Sequence, residues 1–296
     1  MPPRRICYRE LDHCGRLGNA CWQVASSLGI ARANGTDPLF PETWSYRPWF
    51  SLPDEWYGDR RELKRARPAQ EFSNLPGVQP HYLQQHEYIK DVLPEIQTVL
   101  APSPEASELL ADHLATTGQS YLLDLAPDGI TLHVRRGDNL DEATHPVGTW
   151  PTVTMEYYRA AVALFDPDAP LVIFSDDPGW CRANVAELVG PRLGCIFVVT
   201  DGPTRPPEYL PDGAYAAAPA LDWIDLQLMA MFSRHIIAAS TYSLWGAMLG
   251  PGPTVYPNNW CGDICREQVP EESSMVPPEW VMVDNPVPHE QLHPNG

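Results

Sequence analysis

The nine residues ITLHVRRGD, at positions 130–138, carry a short run of apolar and β-branched side chains that leads directly into two arginines. Further apolar runs of similar length follow at residues 171–174, 195–199 and 236–239. Helical patterns alternate with these runs at residues 155–165, 179–188, 223–232 and 243–249. Strands and helices that alternate in this order predict an α/β fold, with a parallel sheet that carries helices on both faces.

The first half of the chain contains three helical patterns. Residues 17–33 space small and apolar side chains three and four apart, which predicts a helix. Residues 104–115 follow Ser103, which suits an N-cap, and precede Gly118, which suits a helix end. A further helix is predicted over residues 88–100.

The change of pattern at residues 126–129 predicts a domain boundary. A length of 296 residues favours two domains, and 44% hydrophobic residues suffice for a core. We therefore expect an N-terminal domain over residues 1–127 and a C-terminal domain over residues 128–296, with the parallel sheet clearest in the second. Residues 39–58, rich in Pro and Trp, are expected to form packed loop, and no clear strand precedes the helix at residues 17–33.

Composition argues against several classes of function. The net charge of −18 disfavours a nucleic-acid or anionic-membrane partner, because both require a basic surface. No run approaches the ~20 apolar residues of a membrane span and no signal peptide is visible, so a cytoplasmic location is expected. The seven cysteines include no CxxC pair, and Cys261 and Cys265 lack a histidine at zinc-finger spacing, which predicts reduced thiols and no metal site.

Charged residues follow the predicted strands, at the edge where open parallel sheets bind their ligands. Arg135 and Arg136 end the first strand, and two adjacent guanidinium groups repel each other unless an anion or a carboxylate neutralises them. The arginine side chain can donate hydrogen bonds to two phosphate oxygens at once, so the pair predicts a phosphate-binding site. An internal ion pair, for instance Arg136 with Asp138, is the structural alternative.

Polar residues also end the two other informative strands. Asp176 and Asp177 follow residues 171–174, where they can cap the next helix, accept hydrogen bonds from the guanine amines, or hold a divalent metal. Ser240 and Thr241 open a later helix, whose exposed amides can bind an anion or can simply be capped.

Eight segments, taken in order, resemble the α-1,2-fucosyltransferase family. They are GRLGNA at 15–20, HYLQQHEYIKDVLPEI at 81–96, LHVRRGD at 132–138, MEYYRAA at 155–161, VIFSDDPGWCRANV at 172–185, DWIDLQLMAMFSRHIIAASTYSLWGAML at 222–249, VYPNNW at 255–260 and PPEWVMVD at 277–284. LHVRRGD resembles the family's His-x-Arg-Arg-Gly-Asp motif and is the most specific of them. The resemblance extends over residues 15–284.

The resemblance implies a GT-B-like architecture, in which two Rossmann-like domains face a cleft. It implies transfer of L-fucose from GDP-fucose to a carbohydrate hydroxyl, with galactose O-2 expected as the acceptor position and with inversion. It implies no cofactor and no metal, so the expected partners are a nucleotide-sugar donor and an oligosaccharide or glycan acceptor.

The resemblance also implies roles for individual residues. Arg135 resembles the arginine that neutralises the β-phosphate of the leaving GDP, and Asn19 resembles a residue on the fucose or acceptor side, so both are expected to be catalytic. The expected donor-binding residues are His133, Arg136, Asp138, Asp176, Asp177, Ser240, Thr241 and Ser243. The expected acceptor-side residues are Gly15, Arg16 and Gly18.

Three positions depart from the family pattern: Arg16 and Ala20 replace Gly and Gln, and Leu244 replaces an aromatic residue. Asp12 and His13 are the nearest candidates for a general base, although a route in which the leaving phosphate takes the proton needs none.

Other functions stay open at this stage. A non-catalytic GDP-sugar-binding or lectin-like relative and an O-fucosyltransferase with another acceptor fit the altered first motif. A nucleotide-dependent oxidoreductase would require a dinucleotide glycine fingerprint, which is incomplete here.

Overall fold

The structure, a computed structural model, describes residues 4–73, 75, 79–140, 146–147, 149–191, 194, 196–199, 208–209, 215–216, 219–262, 271–288 and 291. Within these residues, no helix combines the length and the apolar character that crossing a membrane requires.

The strands are β1 (Ile6–Cys7), β2 (Pro38–Pro41), β3 (Tyr57–Gly58), β4 (Arg67–Pro68), β5 (Ile130–Val134), β6 (Leu171–Ser175), β7 (Ile196–Val198), β8 (Glu208–Tyr209), β9 (Tyr215–Ala216), β10 (Arg234–Ile236), β11 (Thr254–Pro257) and β12 (Val281–Val283). The helices are α1 (Leu17–Ala33), α2 (Arg60–Arg65), α3 (His86–Ile89), α4 (Leu93–Val99), α5 (Pro104–Thr117), α6 (Tyr121–Leu125), α7 (Met155–Val162), α8 (Pro178–Val189), α9 (Pro219–Met231), α10 (Thr241–Leu249) and α11 (Glu272–Met275). Short 3-10 turns occupy Arg47–Trp49, Asp54–Trp56, Ala69–Phe72 and Gly137–Leu140.

The strands of the second half form a six-stranded parallel sheet in the order β12-β11-β10-β5-β6-β7. Counted from its first strand, this is the 3-2-1-4-5-6 order of the Rossmann fold. The order in which strands are added reverses between β5 and β10, because β6 and β7 lie on one side of β5 and β10, β11 and β12 lie on the other. Because ligands of such sheets bind beyond the carboxyl ends of the strands at this reversal, the residues that follow β5 and β10 are placed for binding.

The first half contains a smaller parallel sheet, in the order β3-β2-β1-β4, which repeats the first four positions of the same pattern. Helix α1 follows β1 and is buried along nearly its whole length, including the polar residues Gln23, Ser26 and Ser27. The predicted class, α/β with parallel sheets and the clearer sheet in the second half, is confirmed.

Helices α1 and α10 join the two sheets. Trp22 and Trp245 pack edge to face, with ring centroids 5.2 Å apart, within a buried apolar cluster that draws residues from both halves. Gly18 lies against the first turn of α10, so close that a Cβ atom at this position would stand 2.5 Å from the backbone nitrogen of Tyr242. The start of α1 and the start of α10 are therefore held in direct contact.

Several predicted elements are confirmed, including the helix over residues 17–33, the strand over residues 130–134 and the caps at Ser103 and Gly118. The single helix expected over residues 88–100 is wrong, because the chain breaks there into α3 and α4.

The strand expected at residues 236–239 lies earlier, over β10, where it pairs with β5. Strand β1 was missed because two residues carry no periodic signal, and β2 was missed within the expected loop. Of the run predicted at residues 195–199, residue 195 lies outside the described residues, and β7 accounts for most of the rest.

Candidate active site

Arg135 leaves the carboxyl end of β5 and is held between two carboxylates. Its guanidinium group donates to Asp138, in the 3-10 turn that follows, and to Asp176, which directly follows β6. Strands β5 and β6 are paired in register up to Val134 and Ser175, so the two loops that leave them run side by side. A Cβ atom at Gly137 would collide with the Asp176 carboxylate, which explains a glycine at this position.

Arg136 points to a different carboxylate. Its Nε atom donates to Asp177 Oδ2 at 3.2 Å, and its guanidinium carbon lies 3.8 Å from the ring centroid of Trp180. Its backbone N–H donates to Asp176 Oδ1 at 2.9 Å. The pairing of Arg136 with Asp138 that the sequence offered as an alternative is replaced here by Arg136–Asp177 and Arg135–Asp138.

Asp138 also receives a hydrogen bond from Arg16, which precedes α1. The residues Arg16, Arg135, Arg136, Asp138, Asp176 and Asp177 thus form one arginine–aspartate cluster with balanced formal charge. Asp138 bridges the two halves of the chain, since it binds one arginine from each. Asp177 also caps α8, accepting the Trp180 N–H at 3.0 Å, as the sequence allowed.

The start of α10 meets the start of α1 through polar contacts. Asn19 Oδ1 accepts hydrogen bonds from Thr241 Oγ1 at 3.0 Å and from Gln84 Nε2 at 2.9 Å. Ser240 caps α10 by accepting the Tyr242 N–H at 3.3 Å. Asn19, predicted on the fucose or acceptor side, therefore contacts the helix terminus that was predicted to bind the donor.

Two further predicted residues lie around this contact. Ser243 is almost fully buried and donates back to the Ser240 carbonyl at 3.3 Å. Gly15 adopts a φ of 83°, and a Cβ atom there would collide with the Asn19 side chain, so both its backbone conformation and its surroundings require glycine.

His133 lies on β5 beneath the cluster. It is 5% exposed, and its ring centroid lies 5.7 Å from that of Tyr242. Burial is the largest influence on its protonation and lowers the pKa of His133 to about 4, so the ring is neutral near pH 7. Its Nδ1 atom is buried and has no hydrogen-bond partner among the described residues.

The two predicted candidates for a general base differ in environment. Both carboxylate oxygens of Asp12 accept hydrogen bonds from Ser45, from its N–H at 2.8 Å and from its hydroxyl at 2.6 Å. His13 is exposed. Because Asp12 is committed to holding the loop at Ser45, it is poorly placed to accept a substrate proton.

Asp222 was not singled out from the sequence, yet the structure half-buries it where the two halves meet. Its carboxylate accepts a hydrogen bond from the hydroxyl of Tyr46, in the first half, and its carbonyl accepts one from the hydroxyl of Tyr242. Burial raises the pKa of Asp222 to about 7. Its Oδ1 atom is buried without a partner among the described residues. The same helix also contains Asp225 and Gln227, so its sequence carried no signal that singles out Asp222.

Asp222 makes stability depend on pH. Its pKa is raised from 3.8 to about 7, so the folded state favours the protonated form, and stability falls as pH rises across this interval. Asparagine does not titrate, so Asp222→Asn should remove the part of the pH dependence that this carboxyl group causes. We expect the melting temperature of the variant to fall less between pH 4 and pH 7 than that of the wild type. Thermal melts across this range check it. A decline as steep in the variant as in the wild type contradicts it, and Asp124→Asn, on α6, is the control.

Several known proteins are similar to this chain in sequence. No protein-family model matches the chain. Galactoside alpha-(1,2)-fucosyltransferase 2 of Mus musculus is 23% identical over 284 residues, which cover 84% of this chain and 70% of that protein. Galactoside 2-alpha-L-fucosyltransferase SEC1 of Bos taurus is 25% identical over 90% of this chain and 71% of its own length.

A bacterial relative and two solved structures extend the comparison. The O-antigen biosynthesis glycosyltransferase WbnK of Escherichia coli is 30% identical over 40% of this chain and 33% of its own length. Among solved structures, NodZ alpha-1,6-fucosyltransferase co-crystallised with GDP has a TM-score of 0.42 at 17% identity, covering 85% of this chain and 94% of that one. A mutant of Arabidopsis thaliana FUT1 in complex with GDP has a TM-score of 0.45 at 11% identity, with coverages of 93% and 75%. Along most of its length, this chain is therefore similar to galactoside α-1,2-fucosyltransferases, at 22–25% identity.

Proposed function

We propose that the chain transfers L-fucose from GDP-fucose to a carbohydrate hydroxyl, with inversion at the anomeric carbon. Similarity to galactoside α-(1,2)-fucosyltransferases over 84–90% of the chain supports this activity and favours O-2 of galactose as the acceptor position. The observation that carries the proposal is the position of Arg135, which follows β5 at the strand reversal where Rossmann-type sheets bind nucleotides.

In this proposal, residues 128–296 hold the donor and residues 1–127 hold the acceptor, as in a GT-B arrangement. The Rossmann strand order of the larger sheet and the matching order of the smaller one support it. So does the contact between Asn19 and Thr241, since it brings the glycine-containing turn of the first half to the helix start of the second.

Donor binding would have to rearrange the arginine–aspartate cluster. Three arginines and three aspartates leave no net positive charge there. A diphosphate gains electrostatic stabilisation only where it takes over guanidinium contacts that carboxylates now make. We therefore propose that GDP competes with Asp138 or Asp176 for Arg135, while the amides at the start of α10 contribute without any side-chain charge.

The reaction leaves extra negative charge on the departing GDP and positive character on the fucose ring. Arg135 would stabilise the negative charge on GDP, and it must do so more strongly in the transition state than in the bound substrate. For the proton of the acceptor hydroxyl, we propose the route in which the leaving phosphate accepts it. Ser45 occupies both carboxylate oxygens of Asp12, and Asp222 has Oδ2 bound to Tyr46 and Oδ1 buried, so neither carboxylate offers an accessible oxygen.

The test is a matrix of donors and acceptors. Purified chain is incubated with GDP-fucose, GDP-mannose or UDP-galactose, with and without a β-galactoside, and release of the nucleoside diphosphate is measured. We expect release only when GDP-fucose and the galactoside are both present, with an α-1,2 linkage in the product by NMR.

A 2-deoxygalactoside is the matched control, because it keeps the ring and removes only the proposed acceptor oxygen. Transfer to it as fast as to the galactoside would overturn the position of transfer. Binding of GDP by calorimetry with no transfer to any acceptor would overturn the activity and favour a non-catalytic relative.

A further inference from the structure

We propose that Glu10, Cys14 and His81 form a binding site for Zn²⁺ or a similar transition-metal cation. The argument for this site does not depend on the proposed transfer reaction. One ligand atom from each residue lies within 4.8 Å of the other two. Glu10 and Cys14 lie in the loop that follows β1, and His81 lies ahead of α3, so the fold brings them together from distant parts of the chain.

The distances between the ligand atoms fit a tetrahedral zinc site. His81 Nδ1 lies 3.2 Å from Glu10 Oε2, and Cys14 Sγ lies 3.6 Å from the same oxygen. With the usual zinc bonds of about 2.0 Å to oxygen and nitrogen and about 2.3 Å to sulfur, tetrahedral angles place such pairs about 3.3 Å and about 3.5 Å apart. Both pairs that include Glu10 fit these values, and the ligand atoms of His81 and Cys14 lie within 4.8 Å of each other, so a single ion can bind all three once the side chains adjust.

The kinds of ligand select the class of metal. A thiolate, an imidazole and a carboxylate are zinc ligands in proteins, whereas Ca²⁺ and Mg²⁺ bind oxygen almost exclusively. His81 and Glu10 are 62% and 46% exposed, so solvent can supply a fourth ligand. Three protein ligands with one accessible position form the open type of zinc site.

Buried side chains hold the ligand-bearing segments in place. Gln23, fully buried on α1, donates from its Nε2 atom to the carbonyl oxygen of Cys14 at 2.7 Å and to that of His81 at 3.1 Å. The hydroxyl of Tyr8 donates to the same His81 carbonyl. The two segments are thus fixed to each other before any metal binds, which lowers the cost of ordering the ligands.

A metal at this site would act on the turn that opens α1. Cys14 directly precedes Gly15, and that turn carries the acceptor-side residues and Asn19. A bound ion would tie the turn to His81 and stiffen it. The sequence alone predicted no metal site, because Cys14 has no cysteine or histidine partner at motif spacing.

The test is titration of chelator-treated, full-length protein with ZnCl₂ by isothermal calorimetry. We expect one Zn²⁺ per chain in the wild type and affinity lower by about 10-fold or more in Cys14→Ser, His81→Ala and Glu10→Gln. His113→Ala, on α5, is the control and should bind like the wild type. Circular dichroism of each metal-free variant establishes that it is folded.

Cobalt substitution gives a second readout. Co²⁺ bound to the wild type should show a thiolate charge-transfer band in the near ultraviolet, and Cys14→Ser should lack it. Absence of zinc binding, binding unchanged in Cys14→Ser, or equal binding of Mg²⁺ would each overturn the proposal. None of these results bears on sugar transfer, so failure here is distinct from failure of the proposed activity.

Discussion

Arg135→Ala is expected to lower kcat for fucosyl transfer by about 10²–10³ or more, since electrostatic groups that face developing charge contribute on this scale. Arg135 also holds Asp138 and Asp176, so alanine leaves both carboxylates without this counter-charge near the incoming diphosphate. The loss of attraction and the added repulsion act in the same direction. Steady-state kinetics with GDP-fucose and a β-galactoside measure the effect.

Two further variants test whether the effect is specific to the guanidinium group of Arg135. Arg135→Lys keeps the charge but loses the planar fork, so we expect intermediate activity. Arg159→Ala removes an arginine of α7 that pairs with Glu156 at 3.4 Å, and it should leave turnover unchanged. Wild-type turnover in Arg135→Ala would remove this residue from the mechanism.

Gly18→Ala is expected to destabilise the fold and to abolish activity at the same time. The added Cβ atom would stand 2.5 Å from the backbone nitrogen of Tyr242, and backbone cannot yield as a flexible side chain can. Overpacking of this kind costs about 1–3 kcal/mol or more. To accommodate it, α1 and α10 must separate, which disturbs the contact of Trp22 with Trp245 and that of Asn19 with Thr241. Chemical denaturation and the transfer assay measure both losses.

Gly179→Ala is the matched control, since it adds the same methyl group near the start of another helix. Among the residues that the structure describes, a Cβ atom there would meet Asp177 Oδ1 alone, at 3.9 Å, which is ordinary contact. We expect stability close to that of the wild type. If Gly18→Ala is as stable and as active as this control, the two helix starts do not need to stay in contact.

The local sequence pattern was sufficient to predict the helices and strands in which apolar side chains recur at regular spacing. The helix over residues 17–33 and the strand over residues 130–134 could be predicted with their bounds, because side-chain spacing reports secondary structure directly. The arginines at the end of that strand could be identified as unusual for the same reason, since adjacent charges after a buried strand require a partner. The order of motifs along the chain then indicated the family.

Partners that lie far apart in the chain could not be read from pattern. Nothing local indicates that Asp138 binds Arg16, that Tyr46 reaches Asp222, or that Cys14 lies beside His81, because each contact depends on how two sheets and α1 pack. Strand β1 is too short for any periodic signal and exists through its parallel neighbours. The same burial that assembles these contacts also shifts the pKa of Asp222, so the chemistry of the candidate site is a property of packing, whereas the strands and helices that present it follow from short-range pattern.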